Sequence, residues 1–190
     1  HMKTFITVLV LIFSLQSFSK ADDISDFEIE GISIGDSALD HFTKQEIEKN
    51  FRDWYPNQPF RYFEFSYLDS FKTYDNVGFV VEKYDDDYKI YSISGMKFCK
   101  KSIQDCYKTR DEIDKELLNL FKNQKRELKT EKYDEDNLSG KNSVAIQTIY
   151  TFQSGDGIVL EIRDWGTNTD FRDNTAVHLD TKQMREWLGM

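Results

Sequence analysis

The sequence predicts an α+β fold built on antiparallel sheet. Three observations carry this. Apolar residues alternate with period two over 60–98 and again over 143–179. One long stretch between them, from Ser102, carries a helical stripe instead. The strand candidates follow one another mainly through polar turn segments, which suits hairpins rather than βαβ crossovers.

Asp26–Ile34 places Phe27, Ile29, Ile32 and Ile34 in alternation around Gly31, which reads as a short strand or extended lead-in. Asp36 is a good N-cap for a short helix through Leu39 and Phe42. Thr43-Lys44-Gln45-Glu46 has the spacing of a capping box, so a second helical turn through Ile47 starts there. Both prolines, Pro56 and Pro59, fall in 50–59 and make it a loop. Phe60–Leu68 is an aromatic strand; Asn76–Tyr84 and Tyr88–Phe98 form a hairpin across Asp85-Asp86-Asp87.

Ser102 caps the longest helix. Ile103, Cys106, Ile113, Leu117, Leu120 and Phe121 form its apolar stripe, which runs to about Lys122. Arg126–Asp134 is a charged strand suited to a sheet edge, followed by a polar loop. Ser143–Gln153 and Ile158–Asp164 flank the turn Ser154-Gly155-Asp156-Gly157. Ala176–Leu179 is a last short strand, and Asp180 or Thr181 caps a terminal helix through Met184, Trp187 and Leu188. The layout is two helix-plus-antiparallel-meander halves, 22–98 and 99–190, joined by the long central helix, with a short C-terminal helix.

The first residues carry an address. After His1-Met2, which has the look of a cloning scar, Lys3 precedes an apolar run from Phe5 to Leu15. Ser19 and Ala21 then stand two apart before Asp22-Asp23. A basic start, an apolar run and small residues before a polar stretch are the parts of a secretory signal peptide over 1–21. The run is shorter than the roughly 20 residues a membrane span needs, and an uncleaved anchor is the alternative. The expectation is a single domain over 22–190, periplasmic or secreted, with no membrane attachment once the leader is cleaved.

Removing the leader takes away Lys3 and Lys20 and leaves 23 basic against 34 acidic residues, a net charge of −11. That balance argues against nucleic acid as a partner, because phosphate binding needs a basic footprint. It argues equally against anionic lipid. In an exported protein the two cysteines, Cys99 and Cys106, read first as a disulfide, with Cys99 ending a strand and Cys106 in the second turn of a helix. Two buried thiols are the alternative. With neither a CxxC pair nor a nearby histidine, they do not read as a metal site.

No catalytic motif surrounds the mature histidines, His41 and His178. Three acidic clusters lack calcium-loop spacing: Asp85-Asp86-Asp87, Asp134-Glu135-Asp136, and Asp164 with Asp170 and Asp173. No metal or cofactor is therefore expected. The aromatic load is the remaining signal. Phe60, Tyr62, Phe63, Phe65 and Tyr67 fall on both faces of one strand, with Trp54 and Tyr55 before it and Trp165 and Phe171 in a late loop. One face must be core; the other is either covered by a second layer or offered as a contact surface. Trp54, Tyr55, Tyr62, Trp165 and Phe171 are the candidate binding residues.

Two stretches resemble a known family. Asp26-Phe27-Glu28-Ile29-Glu30-Gly31-Ile32-Ser33-Ile34-Gly35-Asp36-Ser37, and Gly95-Met96-Lys97-Phe98 followed by Cys106-Tyr107-Lys108 and Glu112-Ile113, are similar to signatures of an uncharacterised family of small secreted proteins from marine bacteria. The pattern Gly31-Ile32-Ser33-Ile34-Gly35-Asp36-Ser37 before a helix pair and a meander is also similar to the small lipoprotein of the barrel-assembly machinery and to the tandem-repeat β-lactamase inhibitor protein. The lipoprotein's lipid-bearing cysteine has no counterpart here. The family resemblance carries no activity with it; the other two proteins are non-catalytic exported binders, but fold likeness by itself gives no function. The expected role is a binding or protein-interaction module whose partner is an unknown protein or small-molecule ligand. The alternative is a periplasmic hydrolase using scattered acidic residues and His178.

Overall fold

The computed structural model describes residues 23–56, 58–121, 124–133, 141–167 and 169–190. The expected leader over 1–21, the cluster Asp134-Glu135-Asp136 and Asn168 lie outside the described residues. The fold is α+β and mostly sheet. A two-residue hairpin, β1 (Glu28–Ile29) and β2 (Ile32–Ser33), comes first, then the short helix α1 (Lys44–Lys49). Strands β3 (Phe51–Arg52), β4 (Phe60–Ser66), β5 (Asn76–Glu82) and β6 (Ser92–Phe98) follow. The long helix α2 (Ile103–Leu120) leads into β7 (Lys125–Lys132), β8 (Val144–Thr151), β9 (Gly157–Asp164) and β10 (Asn174–Asp180), and α3 (Lys182–Leu188) ends the chain.

Strands β3 to β10 form one antiparallel sheet in the order β3-β4-β5-β6-β10-β9-β8-β7. Four consecutive strands therefore lie on each side of the β6–β10 junction, where Gly95 pairs with Val177 and Ser94 with His178. The charged strand β7 is an edge, as its composition predicts; Leu128 is 65% exposed there among Lys and Glu.

Helices and sheet pack into one principal core. Phe63, Phe65, Val77, Phe79, Val81 and Ile93 alternate onto one face of the sheet with Ile158, Leu160, Val177 and Leu179. Against them lie Phe27, Ile29, Ile32 and Ile47 from the N-terminal segment, Ile113 and Leu117 from α2, and Phe121 just past its end. Phe42 stacks on Phe65 at 4.1 Å, so the first aromatic face of β4 is core. Asp114 ties α2 to the sheet: it accepts hydrogen bonds from Tyr150 Oη (2.6 Å) and Arg126 Nη2 (2.7 Å). These donors hold its carboxyl below the ordinary value despite burial, while burial and the facing carboxylate push Tyr150 up to about 12.

Local chemistry explains where the elements differ from expectation. The lead-in is a tight hairpin, because Glu30 (φ 54°) and Gly31 (φ 80°) both take the left-handed conformation. The Glu30 carboxylate then accepts from the backbone of Lys72, Thr73 and Tyr74, which anchors the turn to the β4–β5 connection. Asp36 caps no helix. Its carboxylate accepts from Ser33 N–H, and Ser37 caps a 3-10 turn, Ala38–Asp40, instead. Thr43 and Glu46 do form a complete capping box on α1. The last strand is longer than its apolar run, because Asn174, Thr175 and Asp180 pair in the middle of the sheet.

Cys99 and Cys106 are disulfide-bonded, with Cα atoms 5.2 Å apart. The bridge joins the residue after β6 to the second turn of α2, so it fixes where the helix leaves the sheet. No helix among the described residues is long and apolar enough to cross a membrane.

Candidate functional site

The opposite face of the sheet carries the remaining side chain of each alternating pair. Cross-strand register sets these in rows. Tyr62, Val80, Ser92 and Asp180 form one; Gly78, Ser94, His178 and Val159 form the next; Asn76, Met96, Ala176, Glu161 and Gln147 form a third. Phe98, Asn174 and Arg163 begin a fourth. Helix α3 folds back over one end of this face. Met184 is buried with Phe60 and Val80, and Trp187 meets Tyr55 at 4.8 Å and Phe60 at 5.1 Å. Arg185 secures the helix by donating to the Gly155 and Asp156 carbonyls at 2.9 and 3.0 Å. At the other end, Trp165 stacks on Tyr133 (5.1 Å) and packs on Phe171 (4.7 Å). Gly166 makes that end possible: a Cβ there would lie 1.6 Å from the Lys141 carbonyl oxygen.

Between these ends is a cavity of about 470 Å³. All five aromatic residues singled out from sequence line it: Trp54, Tyr55, Tyr62, Trp165 and Phe171. They come from three separate segments, and Trp54 bridges two of them, 6.4 Å from Tyr62 and 6.1 Å from Phe171. The second face of β4 is thus neither fully covered nor fully open. Phe60 is buried beneath α3, Tyr62 is half-buried in the cavity, and Tyr67 is exposed.

Sequence reasoning missed the floor, which is polar and enclosed. Glu161 is 3% exposed and ion-pairs with Arg163 in the same strand. Gln147 Nε2 donates to Glu161 Oε2 at 2.6 Å. Despite burial, Arg163 and Gln147 hold the Glu161 carboxyl below its ordinary value. The same pair pushes the Arg163 guanidinium up. His178 Nε2 lies 3.8 Å from Glu161 Oε1, and burial outweighs that attraction and drives its pKa down, which favours the neutral imidazole. Asp180 is raised by burial and accepts from Ser92 Oγ at 2.6 Å. Tyr62 lies across Gly78 and donates to Glu64 Oε2 at 3.1 Å; burial and that carboxylate raise its pKa.

Most of the floor's donors are directed at protein acceptors. Asn76 Nδ2 donates to Glu64 Oε1 (3.3 Å), Asn174 Nδ2 to the Arg172 carbonyl (3.0 Å) and Ser94 Oγ to the Gly78 carbonyl (3.4 Å). Asn76 Oδ1, Gln147 Oε1, Asn174 Oδ1 and His178 Nε2 are buried with no hydrogen-bond partner among the described residues. Each such atom costs about 1–3 kcal/mol. Four in one wall of one cavity are uncommon in a folded protein. The sequence did hold a signal for them. Ser92, Ser94, Asn174, His178 and Asp180 are interspersed among apolar residues, but only the register brings them to one face.

The other candidates lie elsewhere. His41 meets Asp36 at 3.2 Å on the far side of the N-terminal segment. Asp173 accepts from the Trp165 backbone N–H at 2.8 Å and acts as a turn residue. The described residues contain no group of three or more His, Cys, Asp or Glu placed to hold a metal ion.

No protein-family model, curated protein sequence or solved structure matches the chain.

Proposed function

We propose that this is an exported, non-enzymatic binding module that holds its ligand on the open face of the sheet, between α3 and the 165–172 loop. The observation that carries the proposal is the cavity itself. Aromatic side chains from three segments surround a buried polar floor that keeps four hydrogen-bonding atoms without partners among the described residues. A size of about 470 Å³ suits a small molecule or a few side chains of a partner. The leader and the disulfide support export to the periplasm or beyond. The strand order supports reading the chain as two helix-plus-meander halves, and the family resemblance belongs to the same proposal.

The test uses a thermal-shift screen of fractionated small molecules and proteins from cell-envelope extract. A ligand present at 100 times its Kd stabilises by about 2.7 kcal/mol, a shift of several degrees for a chain this size. The proposal expects a fraction that shifts the native protein and leaves a Trp54→Ala/Phe171→Ala variant unmoved. A fraction that shifts both equally would place binding elsewhere.

A second reading, a hydrolase, has one observation in its favour: Glu161, His178 and Asp180 line the same cavity. Against it, Glu161 is committed to Arg163 and Gln147, Asp180 to Ser92, and Ser94 to a backbone carbonyl. Among the described residues no hydroxyl is bonded to His178 Nε2 as a nucleophile would be. Turnover of a chromogenic ester or glycoside that His178→Ala abolishes would favour this reading over binding.

A further inference from the structure

We infer that the cavity takes an organic cation with N–H donors, an amine or guanidine carrying a flat apolar portion. This rests on the binding reading above and names its ligand class.

Asn76 and Gln147 each face a carboxylate, and a carboxylate only accepts. Their amide nitrogens must therefore point to Glu64 and Glu161, and their oxygens must point away. The same holds for Asn174, whose nitrogen donates to a backbone carbonyl. The orientation of all three amides is fixed by chemistry, and what each leaves over is an acceptor. The fourth partnerless atom, His178 Nε2, belongs to a ring whose pKa burial lowers, so the ring does not repel a cation. A floor rich in unsatisfied acceptors fits a ligand rich in donors. Sugars and carboxylates bring acceptors of their own, which would need floor donors already engaged. Ammonium and guanidinium groups bring donors alone.

Charge points the same way. Two arginines line the cavity: Arg163 is bound to Glu161, and Arg172 Nη1 donates to Tyr67 Oη with its guanidinium over the Phe98 ring. Glu64 lines the cavity with no Lys, Arg or His nitrogen in ion-pair reach among the described residues; its two contacts are neutral donors from Tyr62 and Asn76. A half-buried carboxylate of this kind is the natural seat for a ligand's cationic head. Trp54 and Tyr62 line the same cavity, and aromatic faces favour a cation further. Trp165 and Phe171 offer a flat surface for the apolar portion.

Four probes that share one ring and differ in the head group test this: benzylamine, benzylguanidine, benzyl alcohol and benzoate. Binding to the purified protein is followed by calorimetry and by the side-chain amide NMR signals of Asn76, Gln147 and Asn174. The two cations are expected to bind about tenfold or more tighter than the alcohol and benzoate, and to shift those amide signals. In Glu64→Gln, which keeps the shape and loses the charge, the cations weaken about tenfold and the alcohol is unchanged. Benzyl alcohol or benzoate binding as tightly as the cations, with the same amide shifts, overturns the ligand class and leaves the binding function standing. Amide signals unmoved by either cation at millimolar concentration overturn the inference outright. So does a cation affinity that Glu64→Gln does not change.

Discussion

Gly78 illustrates how single residues shape the cavity. A Cβ at this position would lie 2.1 Å from Tyr62 Oη, so only glycine lets the tyrosine lie flat across the floor and reach Glu64. Gly78→Ala should displace Tyr62 and cost about 1–3 kcal/mol, as overpacking does. Urea denaturation measures this, and an unchanged midpoint would show that the ring moves aside freely. His178 gives a pH prediction at the same scale. Its neighbours Glu161 and Asp180 draw a proton toward it, but burial and Arg163 oppose this and leave its folded pKa below 6.5. The unfolded chain then binds more protons across the window below pH 6.5, so stability is retained above that pH and lost as pH falls through the lowered folded value. His178→Gln should flatten that limb of the stability–pH curve; an equally steep limb would assign it to other groups.

At the scale of elements, much was legible in the sequence. Of the helical stripe, Cys106, Ile113, Leu117 and Phe121 are buried while Leu120 is 44% exposed; the Thr43–Glu46 box opens α1, and the charged strand is an edge. Each depends on interactions within a turn or on a simple period. What was not legible depends on long-range pairing. The hairpin at Glu30-Gly31 is held by three backbone donors more than forty residues away. The polar ends of β10 count as strand only because β6 and β9 lie on either side. The aromatic candidates were found from composition. The polar floor beneath them was not, since its members stand in six strands and meet only through register. The disulfide is the element-scale test. It closes a short loop at the start of α2, and its reduction should lower stability by about 2 kcal/mol. Thermal unfolding with and without reductant measures this. A larger loss, with the α2 signal missing from circular dichroism, would mean that the bridge holds the helix in place rather than only constraining the unfolded chain.

At the scale of the whole molecule, the two faces of the sheet do different work. One face is closed by α2 and the N-terminal segment over an apolar core, which provides the stability. That closure offsets the cost of the other face, where buried polar atoms go without partners and a strand order symmetric about β6–β10 brings both halves to one cavity. Glu161, Arg163 and His178 come from the second half, Tyr62, Glu64 and Asn76 from the first, so neither half alone would make the site. The measurement that tests this account most directly is the footprint of a bound ligand, mapped by backbone amide and tryptophan indole NMR shifts. The account predicts shifts at Trp54 and Trp165 and along the cavity-side residues of β4, β5, β6, β9 and β10, with the α2 signals unmoved. A footprint centred on α2 or on the β7 edge would contradict it.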